Sequence, residues 1–532
     1  MKGNHFTGTG RLLKLYLRRD RIILPIWILL ALLVIYGQVS FVKAMPDWQA
    51  YIVELSGSPL TSALLGPVVP LSIEGAILWR GILQASITVM IGAALTIIRH
   101  TRTEETSGRN ELILGRPVGR YANLSAALIL SCGGSLMAGL LTAVFLMGIG
   151  FAWSGSLISG LTLAASGWIF AGVGGLCAQI FAHSGSARGA VFGVYGLTMV
   201  TMVLNNMGGG ATYWAWLAPE SWFRITVPFW GNHAWPLLVF VLLSALPMML
   251  SYMLLVRRDM GAGLMARKEG PANASPRFNS PFVLAWRQHK GSILAWAIGM
   301  AYLGGIMGVG TPNISEAISS TFAQMNTSWV SAIVKLGNQE GFIAILIYIL
   351  GLMGGLSVFA ITTVQSLRQE EKGHYAEMVL SRPVSRFKWM GSYLTVAFAG
   401  SALILLVLGL ASGLGWSIAA GEFSYFPRVL AMSLSKIPSV WVIVGIAALL
   451  YGWLPRMASV LNWLILGVFI FIEMLWEVGI VGWSALQWTP FAYAHYSIPI
   501  YELAVIPLMV LTGVAAVLTW LGLIGFERRS LC

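Results

Sequence analysis

Long apolar stretches, separated by short polar loops, decide what kind of environment this chain can fold in. They run over approximately 22–42, 76–99, 121–149, 157–182, 189–206, 235–256, 292–310, 342–364, 389–419, 427–451, 458–480 and 502–526. A helix needs about 20 apolar residues to cross a bilayer core, and most of these stretches reach that length. With 57% hydrophobic residues and only 10% charged, against about 25% charged in soluble domains, the chain could not cover a water-facing surface. The 60 glycines and 21 prolines suit helices that approach closely in lipid and tolerate kinks. The expected fold is an all-α polytopic membrane protein with about 12 transmembrane helices.

Charge sets the expected orientation. Lys2, Arg11, Lys14, Arg18, Arg19 and Arg21 precede the first apolar stretch, which places the N-terminus in the cytoplasm; an even number of crossings returns the C-terminus there. Of the Lys and Arg residues, only Lys43, Arg80, Arg224, Lys335, Arg428 and Lys436 then fall elsewhere. The net charge of +13 is accounted for as a topogenic signal facing anionic lipid, and not as a nucleic-acid footprint. The expected location is a plasma membrane, multi-pass and bacterial. The first stretch follows a basic segment but lacks a small-residue cleavage site, so it reads as an uncleaved anchor. Cys132, Cys177 and Cys532 show neither pairing nor metal-ligand spacing.

The chain is internally duplicated. Residues 102–120 and 368–386 align without gaps at an offset of 266 and share nine of nineteen residues, where chance gives about one. The shared positions are Arg102/Arg368, Glu104/Glu370, Glu105/Glu371, Glu111/Glu377, Leu114/Leu380, Arg116/Arg382, Pro117/Pro383, Val118/Val384 and Arg120/Arg386. Leu15 to Arg18 parallels Leu284 to Arg287 at an offset of 269, and Pro219, Pro236 and Arg257-Arg258 correspond to Pro490, Pro507 and Arg528-Arg529 at 271. Two pseudo-symmetric six-helix halves follow, 1–256 and 292–532, joined by a basic cytoplasmic linker and second elbow segment over 257–291.

The repeated charged cassette follows the second helix of each half. Its charges are too costly for the bilayer centre, which puts it in the cytoplasm. Residues 102–114 and 368–380 hold good helix formers and no proline, so a short helix parallel to the membrane, ended by Pro117 or Pro383, is expected. Arg-x-Glu-Glu, a downstream Glu, then Leu-x-Arg-Pro-Val-x-Arg resembles the cytoplasmic loop of type-2 ABC exporter permeases, and the fused two-half arrangement resembles polyketide-antibiotic export permeases. The resemblance implies that the loop is a coupling helix docking on a separate ATP-binding subunit, present in two copies, which would hold ATP and Mg; this chain would hold no cofactor. It implies that Arg102, Glu104, Glu105, Glu111, Arg116, Arg120, Arg368, Glu370, Glu371, Glu377, Arg382 and Arg386 transmit ATP-driven motion. The cargo would be a hydrophobic or amphipathic compound, drug-like, antibiotic or lipid.

Three further features stand out. Arg11, Lys14, Arg18 and Arg21 share one helical face with Leu13, Tyr16 and Leu17 opposite, as an interfacial elbow helix requires; Phe282 to Lys290 is a shorter second copy. The outer segments 207–234 and 481–499 are rich in aromatics, which suits an interfacial belt, whereas the resembled family implies short re-entrant segments. Glu473 and Lys436 are ionisable residues inside apolar stretches and, with Asn205 and Asn206, are candidates to line a substrate path. The position aligned with Glu473 in the first half is Met202.

No Gly-x-x-x-x-Gly-Lys-Ser/Thr phosphate loop, His-Glu-x-x-His or Gly-x-Ser-x-Gly occurs, and the histidines show no metal-ligand spacing. No catalytic or metal residue is therefore nominated, and a non-enzymatic transport subunit is expected. The alternative is a proton-coupled twelve-helix secondary transporter, whose Gly-x-x-x-Asp-Arg-x-Gly-Arg motif neither cassette matches. A membrane-embedded enzyme or scaffold has only Glu473 and Lys436 to recommend it.

Overall fold

The computed structural model describes residues 5–44, 48–49, 52–53, 62, 65–66, 71–109, 111, 115, 117–209, 212–259, 262–265, 280–322, 337–477, 480–495 and 505–530. Every regular element among them is helical, and twelve helices are long and apolar enough to cross a membrane. The chain is an all-α, multi-pass membrane protein. Leu33, Val144, Leu197, Leu246, Leu294, Val460 and Ile506 are exposed on their helices, as side chains facing lipid are.

The chain divides into two compact units, Met1–Gly270 and Pro271–Cys532. The first contains α1 (Thr9–Arg19), α2 (Ile23–Ala44), α3 (Ile73–His100), α4 (Arg102–Thr106), α5 (Ala122–Gly148), α6 (Trp153–Ile180), α7 (Ser184–Met207), α8 (Phe223–Thr226) and α9 (Trp235–Arg257). The α6 helix has no Lys, Arg, Asp or Glu and packs on α3, α5 and α9. Its contact with α5 is backbone on backbone, since a Cβ on Gly139 would lie 2.1 Å from the Gly160 carbonyl oxygen. Lipid tails are as apolar as leucine, so this close approach of small residues is what holds such helices together.

The second unit contains α10 (Pro281–Phe322), α11 (Asn338–Tyr348), a π-helical turn (Ile349–Gly354), α12 (Gly355–Lys372), α13 (Tyr375–Leu380), α14 (Arg386–Ala420), α15 (Tyr425–Leu434), α16 (Ile437–Trp453), α17 (Ala458–Glu477), α18 (Trp483–Leu486) and α19 (Val505–Arg528). The α10 helix lies along α14, and α16 along α19. At the latter contact a Cβ on Gly452 would meet the Gly522 carbonyl oxygen at 2.1 Å. Trp389 and Tyr451 both stack on Phe526, at 5.5 Å each, closing the charged end of the core.

The two elbows differ. In the first unit α1 ends at Arg19, with Asp20 as its C-cap, and α2 starts at Ile23; Pro25, in the first turn of α2, has no N–H to carry a helical bond back to Arg21. Its counterpart at offset 269 is Leu294, and α10 accordingly runs unbroken from Pro281 through the second elbow into the crossing. The residues 281–291 expected in the linker and elbow segment are thus part of the crossing helix, while 260–261 and 266–279 lie outside the described residues. The face of α1 also differs from the expected one. Leu12 and Tyr16 are buried, with α1 packed on α5, whereas Leu15 and Leu17 are exposed beside Arg11, Lys14 and Arg18.

Candidate functional site

The cassettes do not form one continuous helix each. In the first, α4 stops at Thr106 and Gly108 takes φ +72°; in the second, α12 stops at Lys372 and His374 takes φ +60°. These residues correspond at offset 266, so the same left-handed position breaks both copies, at a glycine in one and a histidine in the other.

The charges of the first cassette are drawn inward. Arg102 is fully buried; its Nε donates to the Ala178 carbonyl oxygen at 2.8 Å, and its Nη1 to Glu105 at 2.9 Å and to the Ala262 carbonyl at 3.2 Å. Arg258, just past the end of α9, reaches the other oxygen of Glu105 at 2.5 Å and Gln179 at 2.6 Å. Glu104 pairs with Arg19 at 2.5 Å, with Arg109 at 3.8 Å. Arg120 donates to the carbonyls of Leu255 and Val256 at 3.1 and 2.9 Å, satisfying the last turn of α9. Glu111 is exposed, and Arg116 lies outside the described residues. Beneath the cassette, buried Asp20 pairs with His100 at 2.7 Å and Arg99 at 3.0 Å.

The second cassette repeats the clamp with altered chemistry. Glu371 pairs with Arg529, and Arg386 donates to the Glu527 and Arg529 carbonyls; these are the counterparts of Glu105–Arg258 and of the Arg120 cap. Where Arg258 has Gln179, Arg529 has Tyr451, its guanidinium 4.8 Å from the ring centroid. Gln288, at the position of Arg19, donates to Glu370 at 3.3 Å, and His289–Ser366, at 3.0 Å, occupies the place of Asp20–His100. Arg368 is half-buried, Arg382 is exposed, and Glu377 is exposed beside His374 at 3.2 Å. A groove of about 600 Å³ is lined by Glu377, Leu380, Ser381, Val384, Ser385, Arg386 and Glu527.

At the other end of each unit the aromatic segment is folded in among the helices. In the first, Tyr213–Leu217 and Pro219–Ser221 form 3-10 turns before α8, and Pro219, Glu220, Ser221 and Trp222 are buried. Trp222 stacks on Phe240 at 4.0 Å. Arg224 donates to the Leu65 carbonyl, and Trp79 Nε1 to the Gly66 carbonyl at 2.8 Å. Buried Asn205 accepts from the Thr212 N–H and hydroxyl, both at 2.9 Å. Buried Asn206 lies beside Gly66, its Oδ1 2.6 Å from where a Gly66 Cβ would be. In the second unit Glu473 bonds His495 at 2.6 Å, and Lys436 donates to the Ala494 carbonyl. Tyr348, Trp476 and Trp483 ring His495 at 4.9, 4.8 and 5.5 Å. Burial pushes the His495 imidazole below its ordinary value against the opposing pull of Glu473, and burial pushes the Glu220 carboxyl up to about 7.

Residues 278–527 match the family described as "Multidrug efflux system permease Rv1217c, C-terminal domain". Over 541 aligned residues the chain is 34% identical to the multidrug efflux system permease protein Rv1217c of Mycobacterium tuberculosis, covering 99% of this chain and 96% of that protein. The chain belongs to this multidrug efflux permease family. It is a transmembrane permease of an efflux system.

In the permease, Glu105 and Glu371, and Arg120 and Arg386, occupy equivalent clamps, whereas Glu104 and Glu370 meet different partners. Glu473 and Lys436 fall in one cluster, joined through His495 and the adjoining Ala494 backbone. Sequence reasoning passed over His495, Gln179, Asp20 and Glu220. The offset of 271 that links the prolines also pairs Arg224 with His495, and that coincidence of two basic residue types was the available signal.

Proposed function

We propose that the permease is the membrane subunit of an ATP-driven exporter of the type-2 ABC kind, moving hydrophobic or amphipathic compounds out of the cell. The ATPase is a separate protein with its ATP and Mg, and one copy docks beneath each cassette from the cytoplasm. The observation that carries this reading is the repeated clamp. A cassette tied by Glu105–Arg258 and Arg120, or by Glu371–Arg529 and Arg386, to the end of the last helix of its unit moves that helix when it is pushed. Arg102 extends the link to α6 through the Ala178 carbonyl. Multidrug efflux in the named relative, the resemblance of the cassettes to type-2 permease loops and the groove beside α13 support the same reading.

The carboxylates then divide by role. Glu104, Glu105 and Glu371 are held within their own units, so the partner-facing carboxylates are the exposed Glu111 and Glu377. The test is co-expression with the neighbouring ATPase and purification through a tag on the permease. The paired Glu111→Lys and Glu377→Lys substitutions should lower recovered ATPase at least fivefold while the permease still enters the membrane at normal yield. Undiminished recovery would remove the docking role.

A further inference from the structure

The end of the first unit remote from the cassettes holds a carboxylate that coupling does not use. Glu220, in the turn Pro219–Ser221, is 0% exposed, and the turn packs against α3, α6 and α7. Among the described residues the group in reach of its carboxylate is the Thr198 hydroxyl, whose proton goes to the Tyr195 carbonyl at 2.8 Å, so neither oxygen receives a well-formed hydrogen bond, and the adjoining Ser221 Oγ has none either. A buried carboxylate left in this way is strongly disfavoured unless a proton or a cation joins it. The surrounding elements offer few charges. The α3 helix brings Glu74 and Arg80 near its start, α8 brings Arg224, α6 brings none, and α7 brings only Arg188, near its opposite end. Arg224 directs a guanidinium nitrogen to the Leu65 carbonyl.

Packing does not call for an acid at this position. At offset 271 the second unit has Phe491 in place of Glu220 and Phe469 in place of Thr198, and those two rings pack at 5.9 Å. A phenyl group therefore satisfies the fold where the first unit keeps a carboxylate. Trp222, two residues on, is stacked on Phe240 at 4.0 Å, so the turn is set in an aromatic cluster of the kind that favours organic cations. The segment is also bounded by unusual backbone. Gly209 lies before it at φ +88°, and Val227, Phe229 and Asn232 follow at φ 42°, 66° and 48°. A β-branched valine in the left-handed region is strained, and a segment held against strain is suited to displacement.

We propose that Glu220 is a binding carboxylate for positively charged, aromatic-rich amphiphiles, reached when the Tyr213–Thr226 segment lifts. On binding, the carboxyl gives up its proton to solvent and the cation takes its place. This names the substrate class within the export reading and rests on that reading for its place in transport; the binding step itself needs no ATPase.

The test is equilibrium binding of tetraphenylphosphonium to the purified full chain at pH 6 and pH 8, with tetraphenylborate as the anion of the same shape. With the Glu220 carboxyl titrating at about 7, wild-type affinity for the phosphonium should rise roughly tenfold between the two pH values, and affinity for the borate should not. Glu220→Gln should bind the phosphonium at least about tenfold more weakly at pH 8 and without pH dependence. The double variant Thr198→Phe with Glu220→Phe, which copies the second unit, should do the same, and Glu220→Gln should melt no lower than wild type. Unchanged phosphonium binding by Glu220→Gln would overturn the proposal, as would equal, pH-independent binding of both ions by the wild type. So would a Glu220→Gln protein that melts well below wild type, because the carboxylate would then be structural. Failure of the export reading is seen separately, as a wild-type complex that moves no uncharged amphiphile on addition of ATP.

Discussion

Glu105 serves two buried arginines, Arg102 and Arg258, whereas Glu371 serves Arg529, which also has the Tyr451 ring. Removing one partner of a buried ion pair strands the other charge, at a cost of about 3–5 kcal/mol. Glu105→Ala strands two guanidinium groups, and Glu371→Ala strands one that is less buried. The melting temperature in detergent should therefore fall further for Glu105→Ala, and equal losses would mean that the two clamps are energetically alike. Glu220 adds a pH signature. Its folded pKa of about 7 is raised from 4.5, so the native state binds the proton more tightly than the unfolded chain does. The stabilisation is full below about 4.5 and is lost as pH rises through about 7. Wild type should lose melting temperature relative to Glu220→Gln between pH 5 and pH 8; taking the difference between the two proteins cancels the contribution of His495.

At the scale of elements, small residues decide which helices touch. Gly452 meets the backbone of Gly522, while Gly467 on α17 has nothing within 4 Å of an added Cβ. Gly452→Ala should force α16 from α19 and lower the melting temperature, whereas Gly467→Ala should raise stability by up to about 1 kcal/mol. A fall of similar size in both would show that helix propensity and not close approach governs. The crossings themselves were legible, because hydropathy over about 20 residues reports the same quantity that burial in lipid demands. The elbow was legible only in part. Helical spacing finds a basic face on α1, but which apolar side chains are buried depends on α5, so Leu12 entered the core and Leu17 did not. The cassette was legible as a repeat and not as a shape, because its break depends on a left-handed residue that a histidine can also supply. Glu220 and His495 were missed because single ionisable residues among aromatics carry no period. Only contact with distant helices distinguishes them from interfacial side chains.

At the scale of the whole molecule the two units share a clamp and differ around it. Arg19–Glu104 becomes Gln288–Glu370, Asp20–His100 becomes His289–Ser366, and Glu220 becomes Phe491. An identical pair of motor subunits would thus drive unequal units, one with an ionic elbow contact and a buried acid, the other with elbow contacts that are not ion pairs and a His495–Glu473 pair. Multi-pass architecture and efflux-permease family follow from the helices and from the full-length likeness to the mycobacterial permease; ATP as the energy source is the central claim still to be measured. Everted membrane vesicles holding the permease and its ATPase partner, with the proton gradient collapsed, should accumulate an amphipathic dye on addition of ATP, and a partner disabled in its phosphate loop should abolish the uptake. Uptake driven by an imposed proton gradient without the ATPase, together with no response to ATP, would contradict the account.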